Sequence, residues 1–311
     1  MTDYWNGKKV LVTGAHGFVG QNLMALLDEE DCQVLAPTRL ELDLTNESQV
    51  KKYFLTHCPQ VVLHLAGKVG GIAANKAAPG EFFYDNIMMG TLVMEYARQA
   101  GCEKVIALAA GCGYPKNLEV PYTEEDFWKD LPDENSIGYS MAKKNLIIQS
   151  WTYREQFDFN SVVLLPANLY GPHDNFDLET SHVVPALIRK FVEARDNNSA
   201  TVTVWGTGTA SREFLFSEDT ARAILDMAEH INESGPFNLG TGTETTIREL
   251  IETIKELTGF EGEIVWDTTR PDGQPRRFYD MSKFREALGY VPSTSLHDGL
   301  VKTIEWFEQN Y

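Results

Sequence analysis

The stretch that most limits the fold lies near the start of the chain. Lys9-Val10-Leu11-Val12-Thr13 reads as a buried strand. Gly14-Ala15-His16-Gly17-Phe18-Val19-Gly20 follows it directly and opens a helix expected to run to about residue 30. Glycines at this spacing allow a tight turn, close approach of a pyrophosphate to the backbone, and close packing of helix on strand. A phosphate would then sit on the positive N-terminus of the helix. Gly14, His16, Gly17, Phe18, Val19 and Gly20 are therefore candidate dinucleotide contacts.

The second strand is expected over 33–36. Chains that bind NAD usually carry an acid at the end of this strand, where it takes the ribose 2′-hydroxyl. Here the sequence reads Ala36-Pro37-Thr38-Arg39, and the nearest acid, Glu41, comes after the arginine. A guanidinium suits a 2′-phosphate, so this end of the site favours NADPH over NADH, with His16 available as a second contact. Asp43 either contacts the adenine edge or serves as a simple turn aspartate.

Strand and helix patterns keep alternating, with strands expected at 61–65, 104–109 and 161–165 and helices at 81–101 and 138–157. That rhythm describes an α/β protein with a doubly wound parallel sheet, the Rossmann arrangement, covered by helices on both faces. Ligands of such sheets gather at the carboxyl ends of the strands. The loops after residues 13, 65, 109 and 165 should therefore converge on one crevice. Ala66 and Gly67 sit in a small-residue loop fit to pass near a cofactor. Tyr139 enters the crevice from its helix, with Lys143 one turn further on the same face. A free phenol, with a pKa of about 10, is a poor proton carrier at neutral pH, and a nearby ammonium favours its ionised form. Lys143 is expected to act on Tyr139 in that way.

Composition narrows the partners. A net charge of −18 over 311 residues opposes binding to a nucleic acid polymer, though a nucleotide needs only a local cluster of cations. The length suits one large or two interlocked domains. Cys32, Cys58, Cys102 and Cys112 are scattered without C-x-x-C spacing, which suggests reduced thiols, no zinc or other metal site, and a cytoplasmic protein. The N-terminus runs almost at once into a strand, so no signal peptide is expected, and no apolar run approaches membrane length.

Gly14-x-x-Gly17-x-x-Gly20 together with Tyr139-x-x-x-Lys143 resembles the extended short-chain dehydrogenase/reductases. Longer motifs narrow the resemblance: Lys68-Val69-Gly70-Gly71-Ile72, Cys112-Gly113-Tyr114-Pro115-Lys116, Asn168 to Phe176, Ser181 to Leu187, Trp205-Gly206-Thr207-Gly208 with Arg212-Glu213-Phe214, and Pro271 to Arg276. They are similar to the family of 3,5-epimerase/4-reductases that act on GDP-4-keto-6-deoxy-D-mannose. The resemblance covers almost the whole chain. It implies that Cys112 and His182 form the acid/base pair that inverts C3 and C5. It also implies that Tyr139 protonates O4 during hydride transfer and that Lys143 holds the nicotinamide ribose. Asn168, Leu169 and His182 join the cofactor contacts. Lys190, Trp205, Arg212, Asp272 and Arg277 are the implied contacts to the GDP-sugar, with Arg189 and Arg276 as further cations. A homodimer through the 81–101 and 138–157 helices is implied too. Residues 1–168, rejoined by about 235–260, are expected to form the NADP-binding domain, and 169–234 with 261–311 the substrate domain.

One position departs from the family. A serine or threonine normally stands two residues before the cysteine, where its hydroxyl holds the substrate O4. This chain has Ala109-Ala110-Gly111-Cys112. Either another donor substitutes, or a related GDP-4-keto sugar is seated differently, or a serine has been replaced to trap a complex. The competing functions are an epimerase without net reduction and a non-catalytic NADP(H)-binding protein. A dehydratase would want an acid near Ala110 to Cys112, and none is present.

Overall fold

The structure, a computed structural model, describes residues 3–178, 180–270 and 272–311. Pro271, the first residue of the Pro271 to Arg276 motif, lies outside them. The strands are β1 (Lys9–Thr13), β2 (Gln33–Leu35), β3 (Val61–His64), β4 (Lys104–Leu108), β5 (Ser161–Pro166), β6 (Asn168–Tyr170), β7 (Thr201–Trp205), β8 (Ser211–Arg212), β9 (Phe214–Phe216), β10 (Phe237–Leu239), β11 (Thr245–Thr246) and β12 (Glu263–Asp267). The helices are α1 (Phe18–Leu27), α2 (Glu47–His57), α3 (Ile72–Ala77), α4 (Pro79–Gln99), α5 (Ile137–Phe157), α6 (Val183–Asp196), α7 (Ser217–His230), α8 (Ile247–Thr258), α9 (Ser282–Leu288) and α10 (Leu296–Asn310).

Six strands form one parallel sheet in the order β2-β1-β3-β4-β5-β10. β3 and β4 are buried at every position, as strands covered on both faces must be. The strand order reverses between β1 and β3. That is the topological switch point, where a parallel sheet opens its ligand crevice. Helix α1 stops at Leu27, about three residues earlier than its pattern suggests, because the chain must turn back to set Gln33 beside Lys9.

Apolar packing falls into two clusters. The first joins the sheet to α1, α4, α5 and α7 through residues such as Leu11, Leu23, Val93, Leu146, Val163 and Ile224. The second surrounds the parallel pair β7–β12 and holds α6, α8 and α10 through Phe191, Val204, Ile251 and Ile304. The parallel pair β6–β9 carries the chain from the end of β5 toward this second cluster. No helix among the described residues is long and apolar enough to cross a membrane.

Candidate active site

The first wall of the crevice is the glycine turn. Thr13 Oγ1 lies 2.7 Å from His64 Nδ1, which ties the ends of β1 and β3 together. Burial and the Lys143 ammonium push the His64 imidazole down to about 3, so it is neutral and acts as a pin. Gly14 has φ +77°, and a Cβ there would lie 2.8 Å from the Ala66 nitrogen. A Cβ on Gly20 would lie 2.1 Å from the Gly14 carbonyl oxygen. Only glycine fits at either place. Gly17 caps α1 without a side-chain hydrogen bond, so the first turn stays open to a phosphate. This cradle fits a dinucleotide.

At the adenosine end, His16 Nε2 donates to the Ala36 carbonyl at 3.1 Å, bringing the glycine loop and the end of β2 together. Glu41 accepts from Thr38 N at 2.8 Å and Thr38 Oγ1 at 2.9 Å, so its carboxylate is committed to that turn. Arg39 is exposed, with no hydrogen bond or ion pair among the described residues. A free cation beside a committed acid is what a 2′-phosphate requires. Asp43 uses Oδ1 to hold Thr45 N at 3.0 Å and Thr45 Oγ1 at 2.7 Å, the turn role.

The reactive groups meet after β4. Ala110 caps a single 3-10 turn, Gly111–Gly113, that carries Cys112. Helix α5 lays Tyr139, Ser140 and Lys143 against it. Ser140 Oγ lies 3.1 Å from the Cys112 carbonyl oxygen and 3.2 Å from Cys112 Sγ. Lys143, 4% exposed, donates from Nζ to the Leu108 carbonyl at 3.1 Å. Gly67 passes so close that a Cβ there would lie 3.2 Å from Lys143 Nζ. Burial pulls the Lys143 ammonium down to about 8. It also pushes the Cys112 thiol up, against the Ser140 hydrogen bond and the cations Arg277 and Lys143, which pull it down. Tyr139 packs edge-on against Phe82, with ring centroids 6.4 Å apart.

The expected lowering of Tyr139 by Lys143 is corrected here. Burial, helped by Cys112, raises the phenol well above its ordinary value. The ammonium of Lys143 hydrogen-bonds to a backbone carbonyl, and burial weakens its hold on its proton. Within the protein alone, Tyr139 is a firmly protonated acid.

The opposite wall is cationic. Arg212 Nη1 donates to the carbonyls of Ser211 and Gln274, both at 2.6 Å. Burial and the neighbouring Arg277 lower its affinity for its proton. Neither arginine has a carboxylate partner among the described residues. A Cβ on Gly111 would lie 2.8 Å from Arg277 Nη2 and 1.8 Å from the Tyr279 hydroxyl. Tyr279 and the Gly240 turn are fixed by Glu213, whose buried carboxylate accepts from Thr241 N at 2.5 Å, Gly242 N at 2.6 Å and Tyr279 N at 2.9 Å. Sequence reasoning missed Ser140 and Tyr279. Their signal was only adjacency, to Tyr139 and to Arg277.

The other candidates are more peripheral. Trp205 is 66% exposed, with the Arg270 guanidinium 5.2 Å from its ring centroid. Asp272 accepts from Thr207 N at 2.6 Å and Thr207 Oγ1 at 2.8 Å. Lys190 donates to the Thr203 carbonyl at 3.0 Å. Asn168 Nδ2 donates to the Glu213 carbonyl at 2.9 Å, and Leu169 is half-buried beside it. Arg189 pairs with Glu193 and Arg276 with Glu244, so both serve as surface ion pairs. His182 is the exposed N-cap residue of α6, and no hydrogen bond among the described residues joins it to the Cys112 cluster.

A switch-point glycine cradle joined to a Tyr-x-x-x-Lys helix defines a dinucleotide-dependent enzyme. The chain belongs to the NAD dependent epimerase/dehydratase family, whose sequence pattern matches residues 10–240. It is 40% identical to the GDP-L-fucose synthase of Sinorhizobium fredii (strain NBRC 101917 / NGR234), over 98% of this chain and 97% of that protein. Among solved structures, a GDP-6-OMe-4-keto-L-xylo-heptose reductase from C. jejuni superposes with a TM-score of 0.92 at 29% identity, covering 98% of this chain and 99% of the other. A GDP-L-fucose synthetase from Naegleria fowleri bound to NADP superposes with a TM-score of 0.90 at 29% identity, covering 100% and 96%.

Proposed function

We propose that the protein is an NADPH-dependent GDP-L-fucose synthase, inverting C3 and C5 of GDP-4-keto-6-deoxy-D-mannose and reducing C4. The observation that carries this reading is the meeting of Cys112, Tyr139 and Lys143 at the end of β4, beside a glycine cradle built for a dinucleotide. A 4-ketone acidifies the hydrogens on C3 and C5, since either carbanion delocalises into the carbonyl. Inversion needs a base on one face and an acid on the other. Cys112 and His182 take these roles, since a thiol and an imidazole are side chains that exchange protons near neutrality, with burial pushing the Cys112 thiol above its ordinary value. NADPH supplies the hydride that reduces C4. Tyr139, held protonated, gives its proton to O4 as charge develops there, and Lys143 orients the nicotinamide ribose and keeps positive charge nearby. Arg39 and His16 take the 2′-phosphate, and Asp43, whose Oδ1 holds the Thr45 turn, keeps Oδ2 for the adenine edge.

Arg212, Arg277 and Lys190 face the diphosphate and sugar, with Trp205 beside the base and Asp272 holding the Gly206–Thr207 turn. Ala110 offers no hydroxyl to O4. Arg277, whose Nη2 packs against Gly111, brings a donor toward that position, while the Tyr279 hydroxyl is held by the Pro166 carbonyl. This substitution also supports a second reading, a related GDP-4-keto sugar as substrate, in keeping with the likeness to the heptose reductase. The enzyme acts in the cytoplasm as a homodimer through α4 and α5, which expose Phe83, Tyr84, Met141 and Ile148.

The test is turnover of GDP-4-keto-6-deoxy-D-mannose in deuterated water. NADPH should be consumed in preference to NADH, and GDP-L-fucose should form with deuterium at C3 and C5. Consumption of NADPH without deuterium would leave a simple 4-reductase. No turnover, with turnover of another GDP-4-keto sugar, would favour the second reading.

A further inference from the structure

The strongest unassigned feature is a file of hydroxyls ending on the thiol. Ser136 Oγ lies 3.3 Å from Ser140 Oγ, which lies 3.2 Å from Cys112 Sγ and 3.1 Å from the Cys112 carbonyl oxygen. Ser140 is fully buried. Ser136 and Tyr139 line a cleft of about 300 Å³ between α3 and the start of α5. Each Ser140 Oγ has one proton and two lone pairs. When Cys112 is a thiol, Ser140 donates to the Cys112 carbonyl and accepts from the S–H. When Cys112 gives up its proton, the hydroxyl rotates and donates to the thiolate. The Ser136 hydroxyl is placed to donate to Ser140 Oγ in both states, which would polarise it. The rotation needs no movement of backbone, because both acceptors belong to one residue.

We propose that Ser140 is a positioning residue that tunes Cys112 for proton transfer, by offering its hydroxyl to whichever protonation state the thiol is in. This rests on the reading of Cys112 as an acid/base. The other groups facing the thiol are Lys143 on α5 and Arg277 on the segment after β12, both cationic, and the phenols of Tyr139 and Tyr279. The cations act on the thiolate through space. Among the described residues Ser140 is the one side chain that hydrogen-bonds the sulfur. It also fixes the direction of the S–H, which charge at a distance does not. The neighbouring Ala110 leaves that side of the turn without a hydroxyl, so Ser140 carries the task singly.

The experiment titrates Cys112 directly, so it does not depend on any assumed catalytic role. Alkylation by iodoacetamide, located by mass spectrometry at Cys112, is followed against pH in the full-length protein and in Ser140→Ala and Ser140→Thr. Thiolate absorbance in the ultraviolet, with Cys112→Ser as the baseline, gives a second reading. Loss of a hydrogen bond to a charged group is expected to raise the thiol pKa by about one unit and cut alkylation near neutrality about tenfold, with recovery in Ser140→Thr. In deuterated water, exchange at C3 and C5 should show the same shift in its pH profile, while NADPH affinity stays the same. An alkylation profile unchanged in Ser140→Ala would overturn the proposal and leave the role of Cys112 standing. Exchange that survives Cys112→Ser would overturn that role, whatever Ser140 does. Should Ser140→Ala not fold, Ser136→Ala is expected to move the profile the same way by a smaller amount, and no movement there would count against the relay.

Discussion

At the scale of single residues, chemistry that depends on residue type was legible, and chemistry that depends on surroundings was not. Arg39 stands out in the sequence because an arginine replaces an expected acid. The structure adds that Glu41, the remaining acid, is occupied by Thr38. Tyr139 and Lys143 share a face of α5 as their spacing requires. The direction of their pKa shifts, however, comes from burial, with Cys112 adding to the rise at Tyr139, and spacing reveals neither. Asp174 is a similar case in the loop before α6. It is 6% exposed, Oδ1 accepts from Asn175 N at 2.7 Å, and Oδ2 has no partner among the described residues. Burial pushes this carboxyl up to about 7. The folded state therefore binds its proton more tightly than the unfolded chain, whose carboxyl titrates near pH 4. Stability should fall as pH rises from about 4 to about 7 and stay low above that. Asp174→Asn keeps the Oδ1 acceptor and cannot ionise. It should gain on the wild type by about 1–2 kcal/mol at pH 8 and not at pH 4. Urea unfolding at the two pH values checks this, and an equal difference at both would contradict it.

At the scale of elements, the strands and long helices of the sheet follow from pattern. The observed β4 and α5 begin and end within a residue or so of where apolar runs and turn residues place them. Runs such as Val61-Val62-Leu63, short and rich in β-branched residues, suit strands buried on both faces. The short pairs β6–β9 and β8–β11 were not legible, because two- and three-residue strands carry no period and are made by their partners. Glu213 shows why. In sequence it is one acid inside Arg212-Glu213-Phe214, and its role as an acceptor for three backbone N–H groups exists only once the chain has folded. The glycine turn gives a test at this scale. In Gly20→Ala the new methyl carbon would start 2.1 Å from the Gly14 carbonyl oxygen, so α1 must move away from β1. Overpacking of this kind costs about 1–3 kcal/mol, occasionally more. The same shift opens the cradle, so NADPH affinity should fall at least tenfold in a fluorescence titration. Unchanged affinity would mean that the closeness of helix to strand does not shape the dinucleotide site.

At the scale of the whole molecule, the crevice is made by chain segments far apart in sequence. Gly14, Gly67, Cys112, Tyr139 and Arg277 come from five regions and meet because a parallel sheet sends its loops to one end. That convergence was legible from the alternation of strand and helix. The approach of Arg277 and Tyr279 to Gly111 was not, since it depends on how the segment after β12 returns across the sheet. In the proposed function two reactions share one site with separate tools: Cys112 and His182 are assigned the carbon-bound hydrogens, and Tyr139 and Lys143 the carbonyl. Replacing Cys112 by serine tests this division most directly. The variant is incubated with GDP-4-keto-6-deoxy-D-mannose and NADPH in deuterated water, and the product is analysed by NMR. Loss of deuterium at C3 or C5 with continued NADPH oxidation, giving a reduced but unepimerised sugar, is the expected result. Wild-type deuterium incorporation in Cys112→Ser would contradict it.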